Sequence, residues 1–281
     1  MPKVSIIIPC YNQGRYIEEA VNSVLAQSFT DWEIIIINDG STDKFTNNFL
    51  KDYRPSNTSI YFTENKGVSA ARNFAIDKSL GKYILPLDSD DYIAMNYLRD
   101  AVDKLEMDPE LKLVYGEGEY VGDLAVNIVL PSFSMNGMLQ QNLIFCTALY
   151  RKSGWAAAGK YDETFETGWE DWDFWLRLID DEKQVYKLPS SVFYYRIKKD
   201  SRNASLQGKQ LVITEQQLFK KHLDKYLTHF PLPITQIRNI AYLKEEKENF
   251  EKVKQKIYHS LSYRVGHFLL KPFKMFSNRG T

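Results

Sequence analysis

Four short runs near the start of the chain are apolar at almost every position instead of every second one. They are KVSIIIPCY (3–11), WEIIIIND (32–39), SIYFTE (59–64) and KYILPLD (82–88). β-Branched and aromatic residues dominate them, and continuous apolarity over a strand's length is the pattern of strands covered on both faces. Between them the period changes. From Arg15 to Gln27, the residues Ile17, Ala20, Val21, Val24 and Leu25 recur at helical spacing, and Val68–Leu80 and Tyr97–Leu105 follow the same rule. Strands alternating with amphipathic helices predict an α/β fold, a mostly parallel sheet flanked by helices. No internal repeat or low-complexity stretch breaks the pattern.

The polar residues gather where these strands end. PCYNQG follows the first strand, NDGSTD the second, ENKG the third and DSDD the fourth. Any one of them is explained by turn chemistry, which favours Asn, Asp, Gly and Ser. Four in corresponding positions point to a shared site, because open α/β sheets bind ligands outside the carboxyl ends of their strands. Neither GxGxxG nor GxxxxGK followed by Ser or Thr occurs, so the dinucleotide and P-loop fingerprints are missing. The fourth loop crowds Asp88, Asp90 and Asp91 into four positions, and like charges this close raise one another's pKa unless cations or N–H groups compensate. Asp88 and Asp90, two apart on a strand-end turn, can both reach one hard divalent cation. Mg²⁺ or Mn²⁺ held there bridges to a diphosphate that carboxylates alone repel. Asp91 is placed to cap the following helix.

Composition narrows the classes. With 281 residues, 44% of them hydrophobic, the chain suits one large globular domain, or one domain with an extension. Its 36 basic and 36 acidic residues create no global field for nucleic acid. The balance is uneven, since Lys252–Arg279 holds seven Lys or Arg and no acid, leaving 29 basic residues against 36 acidic ones elsewhere. Cys10 and Cys146 are the only cysteines, which excludes a disulfide framework or a cysteine zinc site and fits a reducing compartment. The apolar run at the N-terminus is too short for a signal peptide, and no stretch approaches the roughly 20 apolar residues of a membrane span. A cytoplasmic location is expected, with any membrane contact peripheral and at the inner face. All four histidines lie after residue 205, so an acid or base acting earlier is expected to be a carboxylate.

Taken in order, VSIIIPCYN, IIINDGSTD, NKGVSAARN, LPLDSDD and GWEDWDFWLRL resemble the family 2 inverting glycosyltransferases of the GT-A fold, the bacterial surface-polysaccharide type, over roughly residues 3–205. The resemblance implies transfer of a sugar from a nucleotide-diphosphate donor, commonly a UDP-sugar, to a hydroxyl of a saccharide or lipid-linked saccharide, with inversion. It implies a divalent cation as cofactor. It places Pro9 and Tyr11 beside the base, Asp39 on base or ribose, Arg72 near the donor, Asp88 near ribose and metal, and Asp90 on the metal. Asp171, second acid of the ED pair, becomes the catalytic base. Trp169 and Glu170 fall at the acceptor, where an aromatic face can support a sugar ring. Plainer readings exist for several of these residues. Arg72 can be a surface ion pair, Asp39 a turn residue before Gly40, and Glu170, Asp171 and Asp173 the acids that a helix N-terminus favours. Trp172, Trp175 and Ile179 share one helical stripe and read as core. One departure stands out. Where many members carry a histidine in a YRxH segment near the metal, this chain reads YYRIKKDS, with Lys198 in that place. A protonated lysine does not ligate a cation but pairs with phosphate. Either the metal keeps more water, or Lys198 or Lys199 shares its work on the leaving group, and a solvated cationic loop is the plainer reading.

These readings divide the chain into a catalytic part, 1–205, and a basic helical extension, 206–281. Within the first, about 1–115 binds the nucleotide sugar and 116–205 holds the acceptor region and the base. In the extension Ile257, Leu261, Val265, Phe268 and Leu269 form one helical stripe ahead of Pro272. It either packs on the parent domain or lies in an anionic membrane surface, the latter matching seven cations interleaved with Phe268, Phe273 and Phe276. Two rival functions remain. A metal-dependent nucleotidyltransferase also wants carboxylates on an α/β sheet but leaves the WEDWD segment without a role. A non-catalytic nucleotide- or sugar-binding module predicts binding without turnover.

Overall fold

A computed structural model describes residues 1–122, 126–166, 168–197, 207–263 and 265. Strands β1 (Val4–Cys10), β2 (Trp32–Asp39), β3 (Thr58–Thr63) and β4 (Tyr83–Pro86) alternate with helices α1 (Gly14–Leu25), α2 (Lys44–Asp52) and α3 (Val68–Lys78). β5 (Tyr92–Ile93) and α4 (Tyr97–Met107) follow. The run order β3-β2-β1-β4 is parallel throughout, with Val4 opposite both Trp32 and Tyr83. The unbroken apolarity of β1 and β2 has its cause here. Ile6, Ile8, Ile34 and Ile36 are buried in one core cluster with Ile17, Val21 and Val24 of α1 and Leu98, Val102 and Leu105 of α4. Ile7, Ile35 and Ile37, which alternate with them, are equally buried. A sheet covered on both faces needs apolar side chains on both.

The second half closes the sheet. β6 (Leu113–Val121), β7 (Val126–Ile128), short α5 (Met135–Met138), β8 (Leu149–Arg151), α6 (Lys152–Ala157), α7 (Glu170–Leu178) and β9 (Val185–Arg196) follow in order. The nine-stranded sheet runs β3-β2-β1-β4-β8-β6-β9-β5, with β7 on β6. β8 is antiparallel to β4 and β6, whereas β9 is parallel to β6 and antiparallel to β5. Because β5 begins six residues after β4 ends yet pairs at the far edge, the sheet curls until β9 borders the loop carrying Asp88–Asp91. The register of β6 and β9 shifts around Glu117. Beside that bulge stands Gly118, where a Cβ would lie 2.9 Å from the Phe145 ring, so glycine lets that ring seat against the sheet.

Helices α8 (Gly208–Lys221), α9 (Leu223–His229) and α10 (Pro233–His259) complete the described elements. Two compact units result, Met1–Tyr226 and Leu227–Thr281. The first extends beyond the expected boundary at 205, because α8 and the turn after it are bonded to it. Lys221 and His222 reach Asp173, at 3.0 and 2.9 Å, and Tyr226 donates to the Leu139 carbonyl at 2.8 Å. In the second unit, Ile257, Leu261 and Val265 are exposed, while Phe268, Leu269, Pro272, Phe273 and Phe276 lie outside the described residues. No helix among the described residues is long and apolar enough to cross a membrane.

Candidate active site

A cleft of about 630 Å³ opens at the carboxyl ends of β1, β2 and β4. Pro9, Tyr11, Asp39, Arg72, Asp88, Asp90, Trp169, Glu170 and Asp171 all line it. Lys198 lies outside the described residues. Asn142, Phe145, Cys146 and Tyr195 line the same cleft, and none of them was anticipated from the sequence.

The nucleotide side is built from loops tied to one another. After β1, Asn12 takes a left-handed conformation (φ 55°), and its side-chain oxygen accepts from the backbone of Thr42 and Asp43 at 2.7 and 3.0 Å. Asp39 ends β2 and accepts from the backbone N–H groups of Lys66 and Gly67, both at 3.0 Å. Burial pushes its pKa up, although those two N–H groups pull the other way. The turn residue and the binding candidate are therefore the same carboxylate. Gly40 (φ 64°) makes the approach possible, since a Cβ there would lie 2.4 Å from the Asn65 nitrogen.

The three aspartates after β4 do three different things. Asp88 accepts from Arg72 Nη2 at 2.8 Å, and its other oxygen faces the Cys146 thiol at 3.7 Å. Asp90 lines the cleft with its carbonyl held by Arg196 Nε at 2.9 Å. Asp91, expected to cap a helix, does not. It is 2% exposed and accepts from the backbone N–H of Arg196 at 2.9 Å. The reason is β5, which intervenes and pairs with β9, so α4 starts only at Tyr97.

Arg72 connects this loop to the other side of the cleft. It is fully buried, and its Nη1 bonds Glu170 at 2.8 Å while Nη2 holds Asp88. Burial alone would lower its pKa, but the charges of Asp88 and Glu170 outweigh that and hold it well above the usual value. The simple surface ion pair is thereby excluded. Both terminal nitrogens face carboxylates of this chain.

Helix α7 begins at Glu170 after Trp169, itself in a left-handed conformation (φ 67°), a costly one for a bulky residue. Its ring lies 4.9 Å from that of Trp172, which with Trp175 and Ile179 is buried as the stripe predicts. The three acids of the first turn separate. Glu170 goes to Arg72. Asp173, fully buried, meets Arg177, Lys221 and His222, whose bonds hold its pKa below normal against the upward push of burial. Asp171 faces the cleft. Its Oδ1 accepts from the Trp172 backbone at 2.8 Å and its Oδ2 from Asn142 Nδ2 at 3.0 Å. Burial first, then the neighbouring Glu170 charge, pushes its pKa up to about 7. Cys146, by contrast, stays a thiol, since burial and then the charge of Asp88 raise its pKa far beyond the ordinary value. Among the described lining residues six carry carboxylates (Asp39, Asp88, Asp90, Asp91, Glu170 and Asp171) and one, Arg72, a cation.

Comparison with known proteins identifies the family. Residues 5–158 match the family model Glycosyl transferase family 2. EpsE of Bacillus subtilis (strain 168), named as a glycosyltransferase, is 30% identical over 209 residues, covering 71% of this chain and 74% of that protein. Chondroitin synthase of Escherichia coli is 30% identical over 226 residues, and there the match covers 78% of this chain but 32% of the relative. Among solved structures, S. aureus TarS 1-349 in complex with UDP-GlcNAc aligns over 80% of this chain and 73% of its own, with a TM-score of 0.61 and 20% identity. The chain belongs to glycosyl transferase family 2. It has the GT-A fold and is a glycosyltransferase, an enzyme that moves a sugar from a nucleotide-sugar donor.

Proposed function

We propose that the cleft binds a UDP-sugar across the ends of β1, β2 and β4 and passes the sugar, with inversion, to a hydroxyl of a saccharide or lipid-linked saccharide in polysaccharide biosynthesis. The observation that carries this reading is Asp171, a carboxylate fixed by two hydrogen bonds, tuned to about 7 and facing the same cleft as Asp88 and Asp90. A base poised near the working pH is what proton abstraction from an alcohol needs. Crystal structures of S. aureus TarS with UDP and with UDP-GlcNAc support the choice of donor.

Pro9 and Tyr11 flank the base, Asp39 meets base or ribose, and Trp169 offers its ring to the acceptor. Arg72 acts through the two carboxylates it holds, and Glu170 through its charge on Asp171. Asp171 takes the hydroxyl proton, and the alkoxide oxygen forms the new bond to the anomeric carbon. The bond from that carbon to the diphosphate breaks, and the diphosphate leaves with the electron pair. Single displacement inverts the centre.

The donor set of Asp88 and Asp90 fits Mg²⁺ or Mn²⁺, hard cations that take few protein oxygens and complete their shell with water and substrate phosphate. Among the described residues no group of three or more His, Cys, Asp or Glu side chains is placed to hold a metal ion, so such a cation would rest on these two carboxylates, water and the donor phosphates. Asp90 and Asp88 would hold such a cation, which would supply charge neutralisation for the diphosphate in a cleft whose own lining is strongly acidic. Lys198 is assigned to the same leaving group on the sequence alone. A nucleotidyltransferase would need no base at Asp171.

Asp171→Asn tests the reading. The variant should keep thermal stabilisation by UDP-sugar with Mn²⁺ and lose at least ~10²-fold in transfer, the scale of general-base removal. Normal turnover would remove Asp171 from the mechanism. A second readout uses the raised pKa. A carboxyl held up in the folded state lends stability that is present below its unfolded pKa of 3.8 and lost as pH rises through about 7. Without ligands, the Asn variant should therefore melt above wild type at pH 8, a gain that disappears by about pH 4.

A further inference from the structure

Asn142 belongs to no helix or strand, and its carboxamide is fixed at both ends. The backbone N–H of Ile144 can only donate, and it meets Oδ1 of Asn142 at 3.3 Å. The amide orientation is thereby settled, which points the NH₂ group at Asp171 Oδ2, 3.0 Å away. The other oxygen of Asp171 is held by the Trp172 backbone. Asn142 thus fixes the rotation of the carboxylate from a segment outside its own helix. An NH₂ group that can only donate favours the ionised, proton-accepting form. Other groups acting electrostatically on Asp171 include Glu170 on its own helix, Arg72 on α3, Cys146 four residues after Asn142, and Tyr161. None of these is hydrogen-bonded to it.

We propose that Asn142 is the positioning residue of the base, donating one hydrogen bond that orients the Asp171 carboxylate and favours its proton-accepting form. The proposal rests on the reading of Asp171 as the base.

Asn142→Asp removes the donated bond and adds a charge in its place, whereas Asn142→Ala removes the bond without adding a charge. The Asp variant retains an oxygen acceptor for Ile144 and so keeps the turn, but it loses the donor and faces Asp171 with a like charge. The pH profile of kcat/KM for sugar transfer should shift, its acidic limb moving to higher pH by on the order of one unit, the effect of a close like charge. Transfer at pH 9 should recover towards the wild-type rate, and UDP affinity in Mn²⁺ should stay within about twofold. Asn142→Ala, which removes donor and acceptor alike, should shift the limb in the same direction by less, and serves if the Asp variant does not fold. A limb that stays in place, or a loss that alkali does not restore, would overturn the proposal and leave Asn142 a turn residue. If Asp171→Asn is inactive while Asn142→Asp keeps the wild-type profile, this proposal alone fails. If Asp171→Asn turns over normally, the base assignment fails first.

Discussion

Replacing Glu170 by Gln should make the enzyme work at lower pH. Asp171 is displaced from 3.8 to about 7, roughly three units, which corresponds to about 4 kcal/mol between its two protonation states. Burial is the largest cause and the Glu170 charge the next. Glutamine keeps an oxygen for Arg72 Nη1 and leaves the cavity volume nearly unchanged, while the negative charge beside Asp171 disappears. The Arg72 charge, which already lowers the Asp171 pKa, is retained, so the loss of the Glu170 charge leaves a net shift downward. A charge removed from within a few ångströms moves a neighbour by about 1–3 units. The acidic limb of kcat/KM should therefore fall from near 7 to about 6 or below. A weaker base also abstracts a proton less readily, so the plateau above pH 8 should drop. The two profiles should cross, with the variant ahead at pH 5.5 and behind at pH 8.5. Initial rates of UDP release across that range, at subsaturating acceptor, provide the assay. An unmoved limb, or one moved to higher pH, would refute the argument that Glu170 acts through its charge.

Two other outcomes are expected. Asp90→Ala should weaken UDP-sugar binding measured with Mn²⁺ or Mg²⁺ present, and equal affinity for variant and wild type under those conditions would exclude Asp90 as a metal ligand. The full chain should sediment with anionic liposomes at low salt and lose this on removal of residues 252–281, each basic residue contributing about 1 kcal/mol near such a surface. Binding that survives the truncation, or a truncated protein that aggregates, would refute the peripheral contact.

The first four strands and helices α1, α3 and α4 were legible because their periodicity is local and uninterrupted. β6 and β9 were not. Gly116 and Gly118 break up the one, Pro189 interrupts the other, and the register shift between them is set by partners rather than by either sequence alone. The site shows the same division. Its strand-end loops announce themselves by composition, and the ED pair by resemblance. Helix polarity favours Glu170, Asp171 and Asp173 equally. What separates them is distant in the chain: Arg72 for the first, Asn142 for the second, and Lys221 and His222, beside Arg177, for the third. Asn142 carries no local signal, being an asparagine in a loop where asparagine is ordinary. Asp91 was misassigned for the same reason, its partner Arg196 lying 105 residues away.

Those separations also govern how the molecule comes into being. Arg72 meets Glu170 across 98 residues, and β6 must wait for a crossover of more than 60 residues before β9 arrives beside it. Loop closure over such lengths is entropically unfavourable until the contacts at its end form, and parallel pairing at high sequence separation is slow. The doubly bound cation at the centre of the cleft can be complete only once the last strands have joined the sheet. Until then Arg72 and its carboxylates remain in water, where ions are at home. Refolding should recover secondary structure well before it recovers UDP binding. A chain cut soon after residue 158, where the family match ends, would keep the nucleotide loops and lack both Asp171 and the strand that borders them.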